Sequence, residues 1–490
     1  MNNQLSSLKP ALLWKHFEEI CYRPHPSKHE EKIQEYILNF AKTHAIECKQ
    51  DSVGNIILRK AATKGKEQAS RILLQSHIDM VPQKNSDVNH DFHQDPIIPA
   101  IRDGYVISSK RTTLGADNGI GVAAMLAVFE HQAHEIAHGS LEALFTVDEE
   151  AGMGGALGLK SGLLQSNIML NLDSEGEGEI YIGCAGGLNT NGVREYTTVE
   201  IPQHYSMYDL AVVGAKGGHS GLDIPLKRAN AIRLMARLLT TLKERGIEFK
   251  IYSFEGGTLR NAIARECFSK IALPTSKGKD LLEAACELQK HISFEYAQSD
   301  PGITLNATVD ANINPNLKLM SSEESILFVN TILGVFHGMK NAIEGMPLVA
   351  ETSSNLGIVS AKNGKIEVRT LQRSAVESQK IEMAQIVRAT MELGGFKVTH
   401  DSGYPGWKPN FQSKALKVAS EIYEKIFHKS SKTMVTHGGL ECGLITSVYP
   451  HMDAISIGPN IHDAHSPNER VEIASVERFW SYLLELLKQL

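Results

Sequence analysis

Arg71-Ile72-Leu73-Leu74-Gln75-Ser76 runs without a break into His77-Ile78-Asp79. A short apolar run of this kind reads as a buried strand, with its first chemically active side chains at the carboxyl end. Upstream, Ser27 and Glu30 have the spacing of a capping box, ahead of a helical face made by Ile33, Tyr36, Ile37, Phe40 and Ala41. Downstream, residues 119–131 read as a helix, and residues 141–147 and 168–172 as two more strands. Strands alternating with helices predict an α/β sheet covered by helices.

From about Gly187 the character changes. Residues 197–201, 208–213 and 249–254 read as strands, and residues 227–245 as an amphipathic helix. The mixture repeats between 302 and 398, with a strand at 365–371 and a helix at 379–393. This predicts an α+β domain inserted into the first. The α/β pattern returns near Tyr404-Pro405-Gly406, with a helical stripe of Leu416, Ala419, Ile422, Tyr423 and Ile426 and a short buried strand at 454–457. The expected organisation is a first domain built from 1–186 and 401–490, interrupted by an insert at 187–400.

Composition narrows the function. The chain has 490 residues, 42% of them apolar and 22% charged, as an ordinary globular protein does. Its 50 basic and 56 acidic side chains give a net charge of −6, which argues against nucleic acid or anionic membrane as partner. The longest apolar stretch, 120–129, is far short of the roughly 20 residues that span a bilayer. The opening MNNQLSSLKPALLW lacks the basic and apolar regions of a secretory signal. Cys21, Cys48, Cys184, Cys267, Cys286 and Cys442 are scattered, which excludes a disulfide scaffold or a cysteine zinc site. A cytoplasmic enzyme is expected.

The chemically active residues gather where apolar runs end. LFTV leads into Asp148-Glu149-Glu150, IMLNL into Asp173, and AISIGPN is followed by His462-Asp463-Ala464-His465. Asp117 stands directly before a helix. Singly, Asp117 could cap that helix, His77 could be an ordinary strand-end histidine, and Glu149-Glu150 a solvated turn. Together they are hard to explain as packing, because ligands bind at the carboxyl ends of strands in open α/β sheets. Carboxylates converging there repel one another unless cations sit among them. Imidazole with carboxylate suits zinc, with manganese or cobalt as substitutes.

HIDMVP at 77–82, LGADNGIG at 114–121, TVDEEAGMGG at 146–155, NLDSE at 171–175, GGHSG at 217–221 and AHSP at 464–467 resemble, in this order, the co-catalytic zinc aminopeptidase/carboxypeptidase family. The resemblance runs the length of the chain. It implies a zinc-peptidase-like mixed sheet flanked by helices, with the insert as an α+β lid and a dimerisation surface. It also implies two zinc ions per chain: Asp117 bridging, His77 and Asp173 on one ion, Glu150 and His465 on the other. Asp79 would accept the second ring N–H of His77, fixing its tautomer. Glu149 would be the general base that carries a proton from water to the leaving amine. In the insert, His219 would donate to the oxyanion, and Asn261 and Arg369 would hold the substrate backbone or its C-terminal carboxylate. One departure is Asn468, where the family usually has aspartate; it lies outside the ligand set and bears on loop hydrogen bonding.

Within the family, HGGLECG at 437–443 and the long insert imply a dipeptidase with broad specificity that includes Xaa-His substrates, and a homodimer is expected. A tripeptidase, an acyl-amino-acid hydrolase and a carboxypeptidase share the same motifs. A non-catalytic peptide- or metal-binding protein is a remote alternative, and Glu149 argues against it. Two further patterns compete for the metal. His134-Glu135-Ile136-Ala137-His138 matches H-E-x-x-H, but Gly139-Ser140 follows at once, so a solvated helix end is expected there. His462 could replace His465 as the ligand, though the AHSP context belongs to His465.

Overall fold

The computed structural model describes residues 5, 7–131, 135–311 and 317–490. They form two compact units. One ends its first segment at Gly183 and resumes over Trp407–Val435 and Leu440–Leu490; the other comprises Cys184–Gly406 and Thr436–Gly439. The second unit's edges lie a few residues outside 187–400. Its closing strand, Lys397–Tyr404, pairs antiparallel with Gly186–Glu195, so the chain cannot leave before that strand is complete. Thr436–Gly439 belongs to this unit as well: the Ala185 N–H donates to the carbonyls of Thr436 (3.1 Å) and Gly438 (3.0 Å).

The first unit is built on an eight-stranded sheet in the order Glu47–Gln50, Ile56–Lys60, Leu141–Thr146, Ile72–His77, Ile168–Asn171, Asp453–Ser456, Glu179–Cys184 and Lys432–Thr436. The four strands from Leu141–Thr146 to Asp453–Ser456 are parallel, and the flanks turn antiparallel, so the sheet is mixed. Ile72–His77, Leu141–Thr146 and Ile168–Asn171 are buried at every position. This is what interior parallel strands require, since both faces are covered. The helix Ala116–Glu130 packs on Ile72–His77 and on the helix Ala11–Cys21. Gly121 permits that approach: a Cβ there would overlap Asn118 Oδ1, Ser76 Oγ and the Leu172 carbonyl. A separate four-stranded sheet holds Ile461–His462, Arg470–Glu472, Tyr105–Ser108 and Pro99–Arg102.

Among its described residues the second unit holds a nine-stranded antiparallel sheet and four α-helices: Ala231–Glu244, Gly278–Glu295, Ser322–Gly334 and Glu377–Leu393. Phe254, Phe328, Leu238, Ile271, Val368 and Met383 sit in their shared core. The first of these helices begins later than its apolar stripe suggests, because the Asn230 side chain accepts from the N–H groups of Ile232 and Arg233 and caps it.

Two local expectations are corrected. The helix Glu31–Thr43 has no side-chain cap. Ser27 donates instead to Asp79 Oδ2 at 2.7 Å, and Glu30 Oε1 accepts from the N–H groups of Lys28 and Asp148. The described part of the H-E-x-x-H segment, residues 135–138, is not a solvated helix end. The helix before it stops at Glu130, His138 is fully buried, and its Nδ1 lies 2.7 Å from the Gly139 carbonyl oxygen. His134 lies outside the described residues. Among the described residues no helix is long and apolar enough to cross a membrane.

Candidate active site

The parallel register pairs His77 with Thr146, so the chains leaving both strands emerge side by side. Asp79 then joins them. Its Oδ1 accepts from the Glu149 N–H (2.9 Å), and its Oδ2 from the Glu150 N–H (3.1 Å) and from Ser27 Oγ. On its other side, His77 Nδ1 lies 3.1 Å from the Asp79 carbonyl oxygen and 3.3 Å from Oδ1. Burial alone would raise the Asp79 carboxyl, but His77, Ser27 and the Glu149 N–H outweigh it and bring it down to about 2.

With Nδ1 held there, His77 Nε2 points at two carboxylates, Asp117 Oδ1 at 3.2 Å and Asp173 Oδ1 at 3.3 Å. The other oxygen of Asp117 lies 3.1 Å from His465 Nε2, which is also 2.9 Å from Glu150 Oε1. Asp117 and Asn118 depart from helical dihedrals, so the helix that follows does not dictate the direction of this side chain. Asn118 Nδ2 donates to Asp173 Oδ1.

Three donor sets, each with its atoms within 4.8 Å of one another, result: His77, Asp117 and Asp173; His77, Glu149 and Glu150; Asp117, Glu150 and His465. His462 is in none of them; it stands instead 5.8 Å from the Tyr105 ring. The electrostatics of the set call for cations. Burial, reinforced by neighbouring carboxylates, raises Glu149, Glu150 and Asp173 above the ordinary carboxylate range, with Glu149 well above it. Burial opposes charge on His77, yet Asp173, Asp117 and Asp79 hold its imidazolium well above 6.5. Hydrogen bonds to Asp117 and Glu150 push His465 up to about 11. Imidazole and carboxylate donors with shared oxygens fit two divalent ions, which would take over the role of those protons.

Two acids that sequence reasoning did not single out lie beneath this floor. Glu441 is fully buried, and its Oε2 accepts from Gln75 Nε2 and Thr146 Oγ1, both at 2.6 Å. Burial pushes it up to about 7. Glu469, also pushed by burial to about 7, accepts backbone N–H groups at 114–117. Glu441 lies inside the HGGLECG motif, but nothing in the motif assigns it a role, and Glu469 has no signature because its partners are backbone amides.

The second unit holds the remaining expected residues. The two-residue strands Gly218–His219 and Ala262–Ile263 pair, and the Asn261 carbonyl accepts the Ser220 N–H at 2.8 Å, so His219 and Asn261 are neighbours. His219 Nδ1 accepts from the Leu222 and Gly221 N–H groups at 3.1 and 3.3 Å, which places the neutral ring's proton on Nε2. Burial, with Arg373 nearby, lowers its pKa, so a neutral ring is favoured. Arg369 pairs across the sheet with Asn191, which accepts from Arg260, the residue before Asn261. Arg369 itself is half-exposed and donates to Glu367 at 3.2 Å. Arg373, four residues on, is only 5% exposed and donates to Ser220 Oγ (3.3 Å) and Tyr404 OH (2.9 Å), neither of them an acid. His437 is buried close by, with Nε2 2.8 Å from Ser353 Oγ.

Known proteins resemble this chain over its length. The chain is 40% identical over 488 residues to the cytosol non-specific dipeptidase of Escherichia coli (strain K12), covering 100% of this chain and 99% of that one. The crystal structure of aminoacylhistidine dipeptidase from Vibrio alginolyticus superposes with a TM-score of 0.93 at 40% identity, covering 99% of this chain and 97% of that one. A tripeptidase from Staphylococcus aureus shares the fold at a TM-score of 0.56 and 18% identity, covering 98% of each chain. The model of peptidase family M20/M25/M40 matches residues 73–489, and with a full-length relative at 40% identity the chain belongs to that family.

Proposed function

We propose that this protein is a metal-dependent dipeptidase, broad in specificity and including Xaa-His dipeptides among its substrates. The observation that carries the reading is Asp117, whose two oxygens each face a different histidine, His77 at 3.2 Å and His465 at 3.1 Å. A carboxylate so placed is built to serve two cations at once. His77 and Asp173 would complete one position, and Glu150 and His465 the other. Zinc, with cobalt or manganese as substitutes, would acidify a water and offset charge on the tetrahedral intermediate when bound.

The chain's own groups supply the rest. Both glutamates share a donor set with His77, and Glu150 also shares one with Asp117 and His465; the family resemblance gives Glu150 to the metal and Glu149 the task of taking a proton from the attacking water. Glu149 then returns that proton to the departing amine. Asp79 fixes both the His77 ring and the backbone of the two glutamates, so base and ligands keep one spacing. His219, with its proton on Nε2, would donate to the developing oxyanion, and Asn261 beside it would hold the peptide backbone. Arg373 suits the substrate's C-terminal carboxylate better than Arg369, because it is buried and not yet engaged by an acid. A cytoplasmic homodimer belongs to the same reading, and light scattering tests the dimer.

Turnover of a dipeptide panel, measured before and after chelation, tests the proposal. Chelation should abolish hydrolysis, and zinc, cobalt or manganese should restore it. Undiminished turnover after exhaustive metal removal would refute it, and preference for tripeptides or acylated amino acids would redirect it within the family.

A further inference from the structure

Glu469 is 3% exposed, yet among the described residues no lysine or arginine is hydrogen-bonded to it. Four consecutive backbone amides stand in their place. Oε2 accepts from the N–H groups of Leu114 (2.7 Å) and Gly115 (3.0 Å), and Oε1 from those of Ala116 (2.7 Å) and Asp117 (3.2 Å). Gly115 makes the concavity possible: its φ of 72° lies in the left-handed region and turns successive N–H groups toward one point. Such a nest is an anion site, and here the chain fills it with its own carboxylate.

The position of Glu469 gives this bond its consequence. The last amide it holds is that of Asp117, and Glu469 lies four residues after His465. The intervening turn is bonded to itself: the Glu469 N–H donates to the Ser466 carbonyl (3.0 Å), the Asn468 N–H to Ser466 Oγ (3.1 Å), and Ser466 Oγ to the Asp463 carbonyl (2.8 Å). One side chain therefore ties the loop carrying Asp117 to the loop carrying His465. We propose that Glu469 is a positioning residue, whose carboxylate fills the 114–117 nest and holds Asp117 between His77 and His465, so that both metal positions depend on it. The inference rests on the two-metal reading above. It goes beyond that reading in assigning control of both positions to a residue that touches neither.

Glu469→Gln is the direct test. Glutamine keeps one acceptor oxygen but turns an amide NH2 toward two of the four N–H donors, so half the bonds are replaced by repulsion. Residues that orient metal ligands typically change affinity about 10–100-fold when altered. Because Asp117 is common to both positions, both dissociation constants should weaken in parallel by about that factor, measured by chelator competition with zinc. Glu142→Gln is the control, at a carboxylate that pairs with Arg59 at 3.0 Å. That buried carboxylate also holds backbone amides, of Gln165 (2.7 Å) and Ser166 (2.9 Å), but away from the donor sets. It should lose thermal stability without losing zinc affinity. Hydrogen exchange on the metal-free proteins provides the second readout. Amides 114–117 should lose protection in Glu469→Gln and keep it in Glu142→Gln.

Wild-type zinc affinity at both positions in Glu469→Gln overturns the proposal, and so does unchanged protection of the four amides. Equal loss of zinc in both variants overturns it too, since the effect would then be general destabilisation. Should Glu469→Gln not fold, Glu469→Asp decides. It keeps the charge but withdraws it by one methylene, and wild-type affinity at both positions in that variant refutes the assignment. A wild-type protein that takes up no zinc refutes the metal reading instead, while the exchange data still decide whether Glu469 holds the nest.

Discussion

Glutamine at position 149 separates the two adjacent acids. The change keeps the side chain's shape, and the bond from the residue's own N–H to Asp79 Oδ1, 2.9 Å long, is a backbone bond that survives it. None of the five proposed ligands is altered, so both cations should still bind. What disappears is the proton carrier. General acid–base catalysis contributes about 10²–10⁴ in rate, or roughly 3–5 kcal/mol of barrier, and kcat should fall by at least the lower figure. Glu150→Gln acts differently. It neutralises the carboxylate 2.9 Å from His465 Nε2, on one metal position only. Metal per chain should drop toward one, and added zinc should recover part of the turnover. Elemental analysis and steady-state hydrolysis of one dipeptide by both variants decide the assignment. If Glu149→Gln loses metal while Glu150→Gln keeps both ions, the roles are reversed; if neither changes, the segment is not in the active site.

The same variant makes a stability prediction. Burial, opposed by His77 and reinforced by Asp173, Glu441 and Glu150, raises the Glu149 carboxyl well above 4.5 in the metal-free fold. A carboxyl with a raised folded pKa binds its proton more tightly in the native state than in the unfolded one. Its contribution is therefore present below the unfolded value and is lost as pH rises through the folded one. Near neutral pH, a neutral glutamine avoids that loss. Metal-free Glu149→Gln should melt higher than metal-free wild type, and a lower melting temperature would contradict the placement of Glu149 in an uncompensated acidic site.

Cation binding near pH 7 should expel protons, those on His77 and His465 among them. Calorimetry in buffers of different ionisation enthalpy measures this, and heats that do not depend on the buffer would contradict it. His219→Ala should lower kcat by about 10²–10³ with little change in KM, as loss of an oxyanion donor does; a variant with wild-type kcat would remove His219 from that role. Arg373→Ala should raise KM for dipeptides with a free C-terminus much more than for their amides, while Arg369→Ala does little to either. The opposite ranking of the two arginines would return the carboxylate to Arg369.

Which residues were readable follows from what holds each one in place. His77 ends the strand Ile72–His77, and Glu149, Glu150 and Asp173 stand just beyond the apolar strands Leu141–Thr146 and Ile168–Asn171. An abrupt change from buried aliphatic to ionisable side chain is visible in a sequence, and parallel pairing brings the three strand ends together. Ser27 misled for the converse reason. Its spacing from Glu30 fits a capping box, but its partner, Asp79, lies 52 residues away and owes its position to the sheet. Arg369 and Arg373 alternate onto one face of the strand Lys365–Ser374, so periodicity cannot rank them. Burial does, leaving the first half-exposed and the second nearly enclosed.

Glu469 is the limiting case, since every partner of its carboxylate is a backbone amide, and backbone amides carry no letter in the sequence. Asp79 stands between the extremes. The spacing His77-x-Asp79 was legible, and the bond to the ring could be expected from it. The bonds to the Glu149 and Glu150 amides could not, because they depend on the neighbouring strand arriving in a register that sets His77 against Thr146. A shift of one residue in that register would carry the two amides away from Asp79, and base and ligand would part even with every motif intact. The motifs therefore name the reacting groups, while strand register and the buried acceptors set the distances at which those groups can work together.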